Sequence, residues 1–573
     1  MIKMISVKEA ARQWNITERR VAELCRNGRI KGAMRQGRNW QIPADALKPA
    51  DKRIRSGYYR KNQKSSCLPL PIGVSDFRLA QAEYYYVDKT MLIKDFIDER
   101  PMVTLFTRPR RFGKTLNMDM LRTFFEKTEQ DTSVYFQDKK IWACGQKYRA
   151  YQGKYPVIFL TFKDVKFNTW EETFSAVRDI FAKETQRHEE LRTSDRCDEY
   201  DERKYARLAE GNVTEVELSS ALADLSAMLH KHYGTAPVII IDEYDTPIQQ
   251  GYMKGYYEEI ILFMRNLFSG GFKDNRHLAF GFLTGILRVA KESIFSGMNN
   301  LSINSVLDHK YSAYFGFTPD EVREMAAYYG ASDKYDEICE WYDGYRLIAH
   351  RQTGNECYSM YSPKSVVEAM LRHKFGTYWN QTETYEALKI YIQMDMDGLK
   401  DSVVRMLAGE SVPINIGTFS NDMTTFATKD DVLTLLVHLG YLTYDYENRC
   451  VSIPNAEIRE EYVNTVSVAD WGEVSKALKN SADTLKAIWQ MRPKQVAQGI
   501  KEAHFETSHL QYNDENALSY TISLALYAAR NFYTMHRELA GGKGFADIVF
   551  IPRKKFPDKP AMVVELKWNK SAE

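Results

Sequence analysis

Two short apolar strands, each ending in polar residues of a particular kind, constrain the fold of this chain more than any other feature. The first reads Val103-Thr-Leu-Phe-Thr-Arg108-Pro-Arg-Arg111-Phe112-Gly113-Lys114-Thr115 and runs into a helix patterned by Leu116, Met118, Met120, Leu121, Phe124 and Phe125. A strand that turns straight into a helix presents unpaired backbone N–H groups and the positive end of the helix dipole, which together suit a phosphate. On this pattern Arg111, Phe112 and Gly113 wrap phosphates with their backbone, Lys114 reaches the outer ones, and the Thr115 hydroxyl holds Mg²⁺. The match to G-x-x-x-x-G-K-[ST] fails at its first glycine, where Arg108 stands.

The second strand reads Pro237-Val-Ile-Ile-Ile-Asp242-Glu243-Tyr-Asp245, which puts Asp242 127 residues beyond Thr115. A β-branched run with no polar break suits a central strand of a parallel sheet covered on both faces. Asp242 then sits at its carboxyl end, where α/β sheets place ligands. There Asp242 supports Mg²⁺ and Glu243 polarises an attacking water. Strands expected at 103–106, 157–162, 238–241 and 278–284, alternating with helices at about 114–127, 170–190, 216–233 and 255–269, give an α/β, P-loop NTPase fold with a doubly wound parallel sheet over residues 69–297. Thr284 ends the strand after Asp242, in the place where AAA-type ATPases sense the γ-phosphate, and Arg288 follows within one turn.

Charge is distributed unevenly. Residues 1–64 hold 17 Lys/Arg against 5 Asp/Glu, a balance of +12, which leaves −10 on the other 509 residues of a chain whose net charge is +2. Such a segment points to a polyanion. Ser6 with Glu9 forms a capping box, Asn15 breaks the first helix, and Thr17 caps a second. Ile30–Ile42 carries Gly37-Arg38-Asn39 as a turn between two strands. The layout over about residues 4–49 resembles the excisionase and MerR-type winged helix domains, which implies DNA contacts from Arg19, Arg20, Arg26 and Arg38. Residues 50–68 are basic and lack apolar periodicity, so they read as a linker.

With 573 residues and 44% apolar content, the chain can bury several cores. Seven scattered cysteines without C-x-x-C spacing argue for reduced thiols, and no signal peptide or membrane-length apolar run is evident, so a soluble, cytoplasmic protein with no membrane partner is expected. Residues 298–500 read as a helical lid region in which a capped helix at 428–440 and a hairpin at 441–453 make a winged-helix layout which, not being basic, is expected to pack against protein. The last segment, 501–573, reads as an α/β restriction-endonuclease-like domain. Glu515 opens an apolar helix running to Phe532, Asp547 begins a strand after Gly541-Gly-Lys-Gly544, and Glu565-Leu-Lys567 lies on the hairpin partner. Glu565 and Lys567, two apart on a strand, share a face. Asp547 and Glu565, with Glu515 added from the helix, would bind Mg²⁺, and Lys567 would orient or activate the nucleophile of a PD-(D/E)xK nuclease.

The segments Leu70-Pro-Ile-Gly-Val-Ser-Asp-Phe, Tyr86-Val-Asp-Lys-Thr90, Thr107 to Thr115, Ile241-Asp-Glu-Tyr-Asp-Thr-Pro-Ile and Thr284-Gly-Ile-Leu-Arg-Val-Ala-Lys together resemble the bacterial AAA-ATPase-like family with a carboxyl-terminal PD-(D/E)xK nuclease domain. In that family Arg replaces the first loop glycine, as Arg108 does here. The resemblance implies ATP binding and hydrolysis with Mg²⁺, together with a metal-dependent nuclease. It departs from this chain twice: the amino-terminal helix-turn-helix is an addition, and the sequence stops at Glu573, just past the Glu-x-Lys strand, which implies a shortened member or a fragment. The resulting expectation is a DNA-associated ATPase with a nuclease module, acting in genome defence or mobile-element biology. A nucleotide-switched DNA-binding regulator with an inactive nuclease scaffold and a protein-remodelling ATPase are the alternatives. DNA versus RNA and a homo-oligomeric state are left open.

Overall fold

The computed structural model describes residues 4–14, 18–26, 30, 32–37, 39–43, 46, 67–287, 294–295, 298–308, 310–351, 354–379, 385–394, 396–419, 426–468, 471–507, 515–541 and 544–567. They fall into two compact units, Met1–Cys67 and Leu68–Glu573.

In the first unit a strand, Met4–Ser6, leads into helices Val7–Trp14 and Glu18–Arg26, and strands Met34–Gln36 and Asn39–Pro43 follow. The Asn39–Pro43 strand is the centre of a three-stranded antiparallel sheet. Glu9 accepts from the Ser6 amide at 2.8 Å and the Ser6 hydroxyl accepts from the Glu9 amide at 3.2 Å, so two orphan donors of the first turn are met reciprocally. Ala10, Ala11, Val21, Leu24, Ile30 and Ile42 form its core.

The second unit is built on five parallel strands: β1 Val103–Thr107, β2 Val157–Thr161, β3 Val238–Asp242, β4 Phe280–Gly285 and β5 Leu301–Asn304, in the order β2-β3-β4-β1-β5. The first four strands agree with the expected ones to within two residues. β5 was not anticipated and lies past the boundary expected at residue 297. Alternate residues of each strand serve different cores. Phe106, Ile240, Phe280 and Phe282 pack with Met118, Leu121 and Phe125 of helix α1 (Lys114–Phe125) on one face. Val103, Leu105, Ile239, Ile241 and Leu283 pack on the other face with Val177, Leu225 and Leu267. These last three lie on helices Trp170–Arg187, Ala221–Tyr233 and Tyr257–Phe272. Each such buried side chain contributes roughly 1.5–3 kcal/mol relative to exposure, which fits strands that are apolar before their carboxyl ends except for Thr104 in β1 and Ser302 in β5. The register pairs Thr107 with Gly285 and Ile241 with Leu283, so the ends of β1, β3 and β4 share one edge.

The chain beyond β5 is mainly helical, with an antiparallel hairpin of Tyr345–Arg351 and Gly354–Met360. Helix Lys429–Leu439 starts in a Thr428/Asp431 capping box and ends at Gly440, before antiparallel strands Thr443–Asp445 and Cys450–Ser452 and helix Ala456–Val468. Toward the carboxyl terminus, helix Glu515–Ala525 is shorter than the sequence suggested and passes into a 3₁₀ turn, Tyr527–Asn531. The residues after it form a strand that was not anticipated, β6 (Tyr533–Gly541), which pairs with β7 (Gly544–Pro552), itself paired with β8 (Met562–Val564). Gly541 and Gly544 thus pair across a hairpin rather than lead into a first strand. Among the described residues no helix is long and apolar enough to cross a membrane.

Candidate nucleotide-binding site

The loop between β1 and α1 lies at the shared strand edge. Gly113 caps α1 at φ 81°, a left-handed conformation that costs a side-chain-bearing residue about 1–2 kcal/mol. Arg111 also adopts a left-handed backbone, at φ 68°. Lys114 is 4% exposed, and its ammonium donates to the Arg108 and Pro109 carbonyls at 3.1 Å each, so it sits beneath the loop. Burial lowers its pKa, opposed by the charges of Glu243, Asp245 and Asp242.

Beneath Lys114 runs a chain of hydroxyl and carboxylate bonds. The Thr115 hydroxyl donates to Asp242 Oδ2 at 2.8 Å, the Thr284 hydroxyl donates to Asp242 Oδ1 at 2.5 Å, and the Thr284 oxygen accepts the Glu243 amide at 3.3 Å. Asp242 is fully buried, and burial raises its pKa against the pull of the two hydroxyls. Thr284 is therefore placed to orient Asp242 and the Glu243 backbone. Glu243 itself is held at φ 54°, a strained geometry that persists only where its surroundings impose it and that recurs at functional positions. Asp245, fully buried, accepts from the Ile286 and Leu287 amides at 2.8 and 2.9 Å and from Gln249 at 2.7 Å, which ties the end of β3 to the residues after β4. Its burial raises its pKa as well. The sequence displayed Asp245, but its structural task depends on β4 being adjacent to β3 and was not readable. Arg288 lies outside the described residues.

A cavity of about 390 Å³ opens beside the loop. Gly113, Lys114, Thr115 and Glu243 line it, together with the apolar Leu70, Ile72, Val74 and Val87 from the start of the second unit and Val367 from helix Pro363–Arg372. The Leu70-Pro-Ile-Gly segment carried no chemistry in sequence; its part is to wall this cavity. The Thr115 hydroxyl and Asp242 Oδ2 are hard oxygen donors next to one another, which fits Mg²⁺ completed by phosphate and water.

The remaining candidate residues lie elsewhere. Carrying the β7–β8 register one residue past Ile548↔Val564 sets Asp547 opposite Glu565. Asp547 Oδ2 accepts the Leu566 amide at 2.6 Å, whereas Glu565 and Lys567 are exposed. Glu515 opens its helix, and its side chain lies outside the described residues. Among the described residues no group of three or more His, Cys, Asp or Glu side chains is placed to hold a metal. In the first unit Arg26 is exposed near the end of the second helix. Arg19 and Arg20 belong to that helix, but their side chains, like Arg38 as a whole, lie outside the described residues.

Residues 71–295 match a family described as predicted AAA-ATPase, and this stretch contains β1–β4, the loop and the Asp242–Thr284 pair. Residues 71–295 are therefore an AAA-ATPase-like domain. The chain is also 27% identical over 395 residues to an uncharacterized protein in the vnfD 5′ region of Azotobacter chroococcum mcd 1, an alignment covering 68% of this chain and 67% of that protein.

Proposed function

We propose that the central domain binds ATP with Mg²⁺ and hydrolyses it. The observation that carries this reading is the Thr115–Asp242–Thr284 chain lying directly beneath a lysine-bearing loop at a helix N-terminus. In this reading the amides of residues 111–115 and the Lys114 ammonium neutralise the phosphates, and the apolar lining of the cavity takes the nucleoside. Thr115 and Asp242 would hold Mg²⁺, which when bound supplies charge stabilisation to the transferring phosphoryl group. Glu243 orients the attacking water, and Thr284 keeps Asp242 aimed. The test uses Lys114→Ala, which should lose ATP binding while remaining folded, and Glu243→Gln, which should bind ATP but hydrolyse it slowly. Undiminished ATP affinity in folded Lys114→Ala would overturn the assignment.

The basic first unit supports a second function, association with nucleic acid and DNA in the first place. Deleting residues 1–64 should weaken duplex binding and flatten its salt dependence, which reflects counterion release; an unchanged slope would move that surface elsewhere. Asp547 facing Glu565 across the hairpin favours the nuclease module over a purely scaffolding carboxyl-terminal region. Mg²⁺- or Mn²⁺-dependent cleavage, lost in Asp547→Ala and Glu565→Ala, is the expected result. DNA binding without any cutting of DNA or RNA would leave the nucleotide-switched regulator as the reading.

A further inference from the structure

The phosphate loop is gripped by residues far downstream. Arg111 Nη1 donates to the Tyr378 carbonyl at 3.2 Å, and the Trp379 indole N–H donates to the Arg110 carbonyl at 3.4 Å. The backbone amides of the same two residues, Tyr378 and Trp379, both donate to Glu457 Oε1, at 2.6 and 2.8 Å. Glu457 is 1% exposed and lies in the first turn of helix Ala456–Val468. Gly440 seals the contact from the other side: it has φ 87°, and a Cβ there would stand 2.8 Å from Pro109 Cβ and 3.1 Å from the Trp379 ring. One short segment thus bonds the loop with a side chain and a carbonyl, and bonds a distant helix with its amides.

We propose that Tyr378, Trp379 and Glu457 form a latch that reports occupancy of the phosphate loop to the carboxyl-terminal half of the chain, with Arg111 as the group that changes partner. This rests on the nucleotide reading of the loop. Arg111 lines the same cavity as Lys114. Its guanidinium now donates to a neutral carbonyl, and a phosphate oxygen is the stronger acceptor because it carries negative charge of its own and can take the guanidinium fork through two oxygens. Its left-handed backbone adds strain that a rearranged loop can release. When Arg111 turns to phosphate, Tyr378 loses its tie to the loop and the 376–379 segment shifts, loosening its two amide bonds to Glu457 and with them its hold on helix Ala456–Val468. Helix Ala456–Val468 is followed by helix Gly472–Trp489, whose Leu485 packs in the core containing Ile548 and Phe550 of β7. The displacement therefore has a packed route to the sheet that bears Asp547 and Glu565.

The test is amide hydrogen exchange of the full chain with and without ATP–Mg²⁺, paired with direct measurement of ATP binding. Exchange at the Tyr378 and Trp379 amides should quicken at least about tenfold on ATP binding, in parallel with a change in tryptophan emission that is absent from Trp379→Phe. Arg111→Ala should show the quickened exchange without nucleotide. If the wild type fails to bind ATP, the nucleotide reading itself falls and the latch with it. If it binds ATP while exchange at 378 and 379 stays unchanged, the latch alone is overturned. Should Trp379→Phe not fold, the exchange measurement on the wild type decides the matter.

Discussion

Arg108→Gly would restore the glycine that the usual phosphate-loop pattern demands, and it should damage this protein. Arg108 is 1% exposed. Its guanidinium donates to the Thr107, Asn304 and Lys310 carbonyls at 2.9, 2.7 and 3.2 Å and lies 5.1 Å above the Phe315 ring. It thereby pins the start of the loop to the end of β5 and to the segment after it. Each bond from a charged donor is worth about 1.5–3 kcal/mol on mutational scales. Removing the cation also relieves its own desolvation, which costs several kcal/mol and lowers its pKa to about 10. Orphaned carbonyls, an emptied side-chain volume and roughly 1 kcal/mol of added backbone freedom outweigh that relief. A net loss of about 3 kcal/mol is expected, a fall of about 6–12 °C in Tm for a domain of this size. Nothing in the backbone asks for glycine, since Arg108 is not among the residues with positive φ. The assay is thermal denaturation alongside ATP titration of the wild type, Arg108→Gly and Arg108→Lys, with the lysine variant intermediate because it keeps charge but not the fork. An unchanged Tm with equal or tighter ATP binding in Arg108→Gly would refute the reasoning.

Thr284→Val removes one donor from the buried Asp242 carboxylate while keeping the side chain's shape, so a loss of about 2 kcal/mol and a fall of about tenfold in ATP turnover are expected; turnover equal to wild type would remove Thr284 from the site. Glu457 provides a pH test: burial pushes its carboxyl up to about 7, against the opposing bonds from Ser365 and the Tyr378 and Trp379 amides and with Glu461 nearby raising it further. Because the folded state holds this proton more tightly than the unfolded chain, the associated stability is full below about pH 4.5 and is lost as pH rises to about 7, an amount of about 3 kcal/mol. Glu457→Gln, whose carbonyl can accept the same two amides, should match wild type in urea denaturation at pH 5 and exceed it at pH 8, and equal midpoints at both values would reject the assignment.

Most of the juxtaposition around Lys114 was legible because its parts are local. Gly113-Lys114-Thr115 must follow β1 directly for the helix N-terminus to face a phosphate, and Asp242-Glu243 must follow an unbroken apolar strand to reach the same edge. Strand adjacency was not legible, and it decides the finer roles. Thr284 contacts Asp242 because β4 lies between β3 and β1. β5 escaped notice because Leu301-Ser-Ile-Asn304 has too few apolar residues to announce a buried strand; it is half-exposed at the sheet edge. β6 was obscured for a different reason. The apolar helix before it continues into the 3₁₀ turn without a breaker, so the helical pattern appeared to run on to Phe532.

Arg108 shows how this loop holds its shape without the glycine that the single-residue pattern demands. Glycines in a phosphate loop give the backbone freedom to wrap an anion, but the same freedom must be lost on binding. Here the loop takes up its left-handed turns at Arg111 and Gly113 while its conformation is imposed from outside, by the Arg108 guanidinium on one flank and by Trp379 on the other. Both restraints come from residues about 200 and 270 positions away in sequence. A loop ordered in this way has already spent conformational entropy when the nucleotide arrives. On the proposed nucleotide reading the loop would also feel any motion of the downstream helices, so affinity for ATP and the position of helix Ala456–Val468 would be two readings of one equilibrium, and by linkage a partner that moved the helix would change the affinity for nucleotide.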